Sequence, residues 1–130
     1  MPSVDPAPIG RVLDAGADGI IVAMVDSPDQ AAAAVAATRY PPHGYRSFGP
    51  LRPDLGSDPA ALAARAAVFV MIETAAGLAA VEQICAVDGL TGIYTGPADL
   101  ALSLGFGIPD ALRAPEMLDA IDHIGATATA

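Results

Sequence analysis

Three short apolar runs, Gly19 to Val25 (GIIVAMV), Val68 to Glu73 (VFVMIE) and Gly92 to Thr95 (GIYT), are separated by stretches of helical period. No other feature constrains the fold as much. The runs are rich in β-branched residues and lack the polar alternation of a strand with one wet face, so they read as strands covered on both faces. Strands that alternate with helices pair in parallel through right-handed crossovers. Three of them make a sheet but cannot close a barrel.

The intervening segments carry their own punctuation. Asp5 and Pro6 read as an N-cap and first helical residue ahead of Ile9, Val12 and Leu13 on one face, with Gly16 as the stop. Ser27, Pro28 and Gln30 form a capping-box arrangement that opens an Ala-rich helix to about Thr38. A short helix around Ala60 to Ala66 leads into the second strand, and Thr74 caps a helix to about Val87 that Asp88 and Gly89 end. Pro115 to about Ile124 places Met117, Leu118, Ile121 and Ile124 on one face, after which the chain fades into Gly-Ala-Thr-Ala-Thr-Ala. From Tyr40 to about Pro59 the chain is too dense in Pro and Gly for regular structure, and so long a connection is either functional or mobile.

Composition narrows the function classes. With 53% hydrophobic and 16% charged residues, the chain can pack a core and is not a disordered one. Fifteen acidic residues against six basic ones give a formal charge of −9, which repels nucleic acid. Every apolar stretch is interrupted before the roughly 20 residues a membrane span needs, and the N-terminus shows no basic-then-apolar signal, so a cytoplasmic protein without a membrane partner is expected. Cys85 is the only cysteine, which leaves no internal disulfide or thiolate cluster; its stripe with Leu78, Val81 and Ile84 makes it a core thiol rather than a nucleophile.

Ligand sites of parallel α/β folds lie at the C-terminal ends of the strands. Two of the three ends carry an acid here: Glu73 closes the second run and Asp99 stands just past the third. Their separation fits one βα unit. Two carboxylates on neighbouring parallel strands suit a hard divalent cation, with water and a chelating substrate completing the octahedron. The same placement also suits a helix cap or an ion-pair partner, and spacing alone does not choose.

Four segments, LDAGADGIIVAMV, AATRYPPHGYRSFGP, IETAAGL and GIYTGPADLALSLG, resemble in order the HpcH/HpaI aldolase and citrate-lyase family, in particular its 4-hydroxy-2-oxoheptanedioate aldolase branch. The resemblance covers nearly the whole chain and rests on I-E-T followed at this spacing by G-P-A-D-L. It implies a partial (β/α)8 TIM barrel, about strands four to six of eight, with residues 1–130 forming one aldolase domain truncated at both ends. It further implies that Glu73 and Asp99 are ligands of Mg²⁺, Mn²⁺ or Co²⁺. The amides at Ala98 and Asp99 would hold the carboxylate of a small-molecule 2-oxo acid, in a loop shaped by Gly96 and Pro97. The implied reaction is that of a class II aldehyde-lyase, cleaving 4-hydroxy-2-oxo acids to pyruvate and an aldehyde through a metal-stabilised enolate. A homo-oligomer, trimer or hexamer, is implied for the full-length form.

The sequence also departs from that pattern. It contains no lysine, so a Schiff-base aldolase is excluded for this chain. The family's histidine and arginine, expected upstream of the L-D-x-G-A region, are not found, so no catalytic residue is assigned here. His43 and His123 read as ordinary surface or packing residues. Arg39, Arg46 and Arg52 flank the long connection and could reach a substrate carboxylate or a neighbouring subunit in a complete barrel, solvated loop arginines being the plainer expectation. Met71 stands where some relatives have a glutamine near the substrate. Two alternatives stay open: a citryl- or malyl-CoA lyase-like enzyme of the same fold, and a catalytically inactive barrel fragment that acts as an interaction module through its apolar edges.

Overall fold

The structure is a computed structural model that describes residues 5–108 and 113–129. Strands β1 (Gly19–Val22), β2 (Ala67–Ile72) and β3 (Gly92–Thr95) form one parallel sheet in the order β1-β2-β3. Its register sets Ile21 opposite Phe69 and Met71 opposite Tyr94. Around it run α1 (Pro6–Asp14), α2 (Pro28–Thr38), α3 (Pro59–Arg65), α4 (Ala75–Ala79), α5 (Val81–Cys85), α6 (Pro97–Ser103) and α7 (Pro115–Ala128). The expected helix starts are in place: Asp5 accepts from Ala7 N, Ser27 from Gln30 N and Thr74 from Gly77 N. Gln30 reaches back one residue further than a standard capping box, its Oε1 accepting from Asp26 N at 2.6 Å.

One face of the sheet is sealed. Ile20, Val22, Val68, Val70 and Ile72 meet Ile9, Leu13, Val35, Ile84, Met117 and Ile124 of the helix layer, and each of these side chains is 5% exposed or less. A buried aliphatic side chain contributes roughly 1.5–3 kcal/mol, so this layer dominates stability. The alternate residues, Ile21, Phe69, Met71 and Tyr94, line the other face, where Ile21 and Tyr94 are 40% and 51% exposed. The sequence predicts cover on both faces, but among the described residues only one has a helix layer. Apolar residues on the second face are what the interior of a closed barrel requires.

Four local expectations need correction. β1 ends at Val22 rather than Val25, because Met24 takes a left-handed φ of 57° and turns the chain over the end of β2. Val25 N then donates to Met71 O at 3.3 Å. The stretch toward Val87 is two short helices broken at Ala80, and α7 continues past Gly125 to Ala128, with Thr127 Oγ1 donating to His123 O. Val12 and Leu118 sit at the margins of their apolar stripes, 38% and 50% exposed.

The long connection after α2 packs at the end of the sheet where the strands begin. Arg46 is there, 2% exposed rather than solvated, with its guanidinium 2.7 Å from Asp14 Oδ1 and 4.8 Å over the Tyr40 ring. Arg52 pairs with Asp54 in the open, and Arg39 packs against Gly89. All three arginines are therefore held away from the strand ends that carry Glu73 and Asp99. No helix among the described residues is long and apolar enough to cross a membrane.

Candidate functional site

The two acids arrive at adjacent strand ends by different routes. Glu73 directly follows Ile72, the last residue of β2, which pairs with Thr95, the last of β3. Gly96 N then donates to Ile72 O at 3.1 Å and Pro97 opens α6, whose first turn holds Ala98 and Asp99. No side chain caps α6, so the amides of Ala98 and Asp99 stand open at its start while Leu100 N closes on Gly96 O.

Glu73 is 3% exposed. Its Oε1 accepts from Met24 N at 2.7 Å, and no cationic side chain pairs with it among the described residues. On the other side, a Cβ at residue 96 would lie 2.6 Å from Glu73 Oε2 and 2.7 Å from Glu73 Cβ, so only glycine lets the carboxylate lie where it does. A buried carboxylate with one amide and no cation is costly unless something else compensates its charge. Asp99 is exposed in the first turn of α6.

Among the described residues no cluster of three or more His, Cys, Asp or Glu is placed to hold a metal. As a donor set, Glu73 and Asp99 would offer two carboxylates from adjacent strand ends, Asp26 being engaged by Thr74 Oγ1. That fits a hard octahedral cation, which keeps several positions for water and substrate oxygens, and does not fit a closed structural site.

The loops beyond the three strands are joined to one another. Thr74 Oγ1 donates to Asp26 Oδ1, linking the turn after β1 to the start of α4, and Ala75 N donates to Ser103 Oγ of α6 at 2.9 Å. Sequence reasoning missed Met24, whose peptide N–H holds Glu73, because GIIVAMV reads as unbroken strand. It also missed the close approach at Gly77, where a Cβ would lie 2.7 Å from Val25 O. That one had a signal: glycine inside a helix costs helical stability and often marks tight packing.

The remaining candidates lie elsewhere. His43 and His123 are exposed, one in the long connection and one on α7. Cys85 packs against the core and burial raises its thiol pKa, which keeps it protonated and unreactive. A cleft of about 460 Å³ opens between the long connection and α3, lined by Arg39, Tyr40, His43 and Pro59, and includes neither carboxylate.

A parallel βα array with acids gathered where adjacent strands end is the ligand-bearing face of an α/β barrel, and the chain is part of a (β/α)8 barrel. The sequence profile of the HpcH/HpaI aldolase/citrate lyase family matches residues 1–130, and the chain belongs to that family. It is 44% identical over 123 residues to a hydroxypyruvate/pyruvate aldolase of Rhizorhabdus wittichii, covering 92% of this chain and 49% of that protein. It is 45% identical over 125 residues to a 4-hydroxy-2-oxovalerate aldolase of Rhodococcus jostii, covering 93% and 48%. The crystal structure of an HpcH/HpaI aldolase/citrate lyase family protein from Burkholderia cenocepacia matches with a TM-score of 0.83 at 34% identity, over 98% of this chain and 52% of that one. The chain thus spans about half the length of these relatives.

Proposed function

We propose that this chain supplies the metal- and oxo-acid-binding part of an aldolase that cleaves 4-hydroxy-2-oxo acids to pyruvate and an aldehyde. The observation that carries the reading is Glu73: a buried carboxylate with no cationic partner among the described residues, beside an obligatory glycine, next to the strand end that bears Asp99. In this reading Glu73 and Asp99 are the protein ligands of Mg²⁺, Mn²⁺ or Co²⁺. When bound, such a cation would polarise the 2-oxo group as a Lewis acid and offset the negative charge that develops there as the C–C bond breaks.

The chain's own groups do the rest of the binding. The amides of Ala98 and Asp99 donate to the substrate carboxylate and fix its orientation, while Met71, whose Cε lies near Gly96, walls the site with apolar surface. Neither histidine belongs to this end of the sheet. No proton-transfer group is assigned at this end of the sheet, and binding is the firmer expectation than turnover.

The test is to titrate Mn²⁺ into the chain and to assay pyruvate release from 4-hydroxy-2-oxo acids with each metal, alongside Glu73→Ala and Asp99→Ala. Each substitution is expected to weaken Mn²⁺ binding by about tenfold or more. Equal binding by all three proteins would remove the ligand assignment.

A second reading draws on the exposed apolar face of Ile21, Phe69, Met71 and Tyr94: the chain acts as an interaction module with no turnover of its own. Sedimentation separates the two, since that reading requires association with no dependence on metal.

A further inference from the structure

We infer that Met24 is a positioning residue, whose left-handed backbone closes the turn that holds its peptide N–H on Glu73 Oε1 and thereby reserves Oε2 for a cation. The inference rests on the reading of Glu73 as a metal ligand.

Met24 is the one non-glycine residue with positive φ among the described residues. An L side chain rarely takes that conformation, and where it persists the surroundings must impose it. Packing of the Met24 side chain does not, for it is 52% exposed. The constraint comes from both sides of the residue. Val22 is paired with Val70 in the sheet, and Val25, 1% exposed, has its N–H bonded to Met71 O. Between these anchors the chain must turn across the end of β2. An extended residue at position 24 would carry the chain onward past the end of β2 and break the Val25 N–H bond to Met71 O, freeing the turn whose first peptide N–H rests on the carboxylate.

The resulting bond is short, 2.7 Å, and charge-assisted. Gly96 bounds the same carboxylate on its Oε2 side. Glu73 thus lies between an N–H and a glycine backbone, with Oε1 occupied and Oε2 carrying no hydrogen bond among the described residues. Outer-sphere hydrogen bonds of this type orient a metal ligand and govern affinity without touching the metal.

The test is Mn²⁺ titration of the full chain, Met24→Gly, Met24→Val and Glu73→Ala, with circular dichroism and melting to verify folding. Glycine keeps the N–H and enters the left-handed region freely, so its affinity is expected within about twofold of the parent. Valine is β-branched and resists positive φ, so a loss of about 10- to 100-fold is expected while the spectrum stays native. If Met24→Val binds within about twofold of the parent while Glu73→Ala has lost the metal, the positioning role is overturned and the ligand assignment stands. If Glu73→Ala binds as the parent does, the ligand assignment fails and the positioning role with it. Should Met24→Val not fold, Met24→Asn decides: asparagine tolerates the left-handed region and is expected to match the parent, and a folded Met24→Asn or Met24→Gly that loses about tenfold overturns the proposal.

Discussion

Each end of the sheet buries a carboxylate, and the two are treated in opposite ways. Asp14, where the strands begin, is 8% exposed and faces the guanidinium of Arg46 at 2.7 Å. Glu73, where the strands end, is 3% exposed and has one peptide N–H. Desolvating a charge costs several kcal/mol, and a partner of opposite sign is the usual remedy. Asp14 is compensated by a side chain of the protein, whereas no cationic side chain pairs with Glu73 among the described residues. A neutralised pair belongs to the architecture; a buried carboxylate without a cation is what the proposed ligand role of Glu73 requires.

The largest effect is expected at the neutralised end. Arg46→Ala strands Asp14 without its cation and should cost about 3–5 kcal/mol in urea unfolding. A loss below about 1 kcal/mol would show that water reaches Asp14 and that the two ends differ less than their burial implies. Gly96→Ala should follow. Its Cβ would fall 2.6 Å from Glu73 Oε2, and overpacking of this kind costs about 1–3 kcal/mol while moving the carboxylate off its orientation. Mn²⁺ titration and urea unfolding of one sample would read both effects. Glu73→Gln comes third. The amide oxygen still accepts from Met24 N while the open charge is gone, so metal-free stability should stay within about 1 kcal/mol of the parent or rise. A cost as large as that of Arg46→Ala would break the comparison, since Glu73 would then hold the fold as Asp14 does.

The two ends were unequally legible in the sequence. The strand-end acids were plain, because VFVMIE and GIYTGPAD place Glu73 and Asp99 by period and turn chemistry, both of which are local. The helix starts at Asp5, Ser27 and Thr74 were legible for the same reason. The Arg46–Asp14 pair was not, since it joins α1 to a connection whose Pro and Gly content says only that it is irregular. Nor was the turn at Met24. A left-handed methionine has no sequence signature; it results from Val22 and Val25 being fixed to β2 at both sides. What the sequence withholds is the contacts that only the folded sheet creates.

The smallest effect tests whether the neutralised end is fully satisfied. The Tyr40 hydroxyl and Arg46 Nε are both buried without a hydrogen-bond partner, so the end that compensates its charge still leaves polar atoms unmet. Tyr40→Phe keeps a ring under the guanidinium and against Phe48 while removing the hydroxyl, and should leave stability at pH 7 unchanged or raised by up to about 1 kcal/mol. Burial holds the Tyr40 phenol above its ordinary pKa, with Arg46 opposing that shift and Asp14 adding to it. A group whose pKa rises on folding holds its proton more tightly in the folded state. Its contribution is whole below the unfolded value of about 10 and is lost as pH climbs through the folded one. The parent should therefore lose stability above about pH 10 relative to Tyr40→Phe, and urea unfolding at pH 7 and in that alkaline range measures the gap. If Tyr40→Phe is instead the less stable protein at pH 7, the hydroxyl makes a bond that matters. The Arg46–Asp14 pair would then be one part of a larger polar network, and charge compensation at that end would extend beyond two residues.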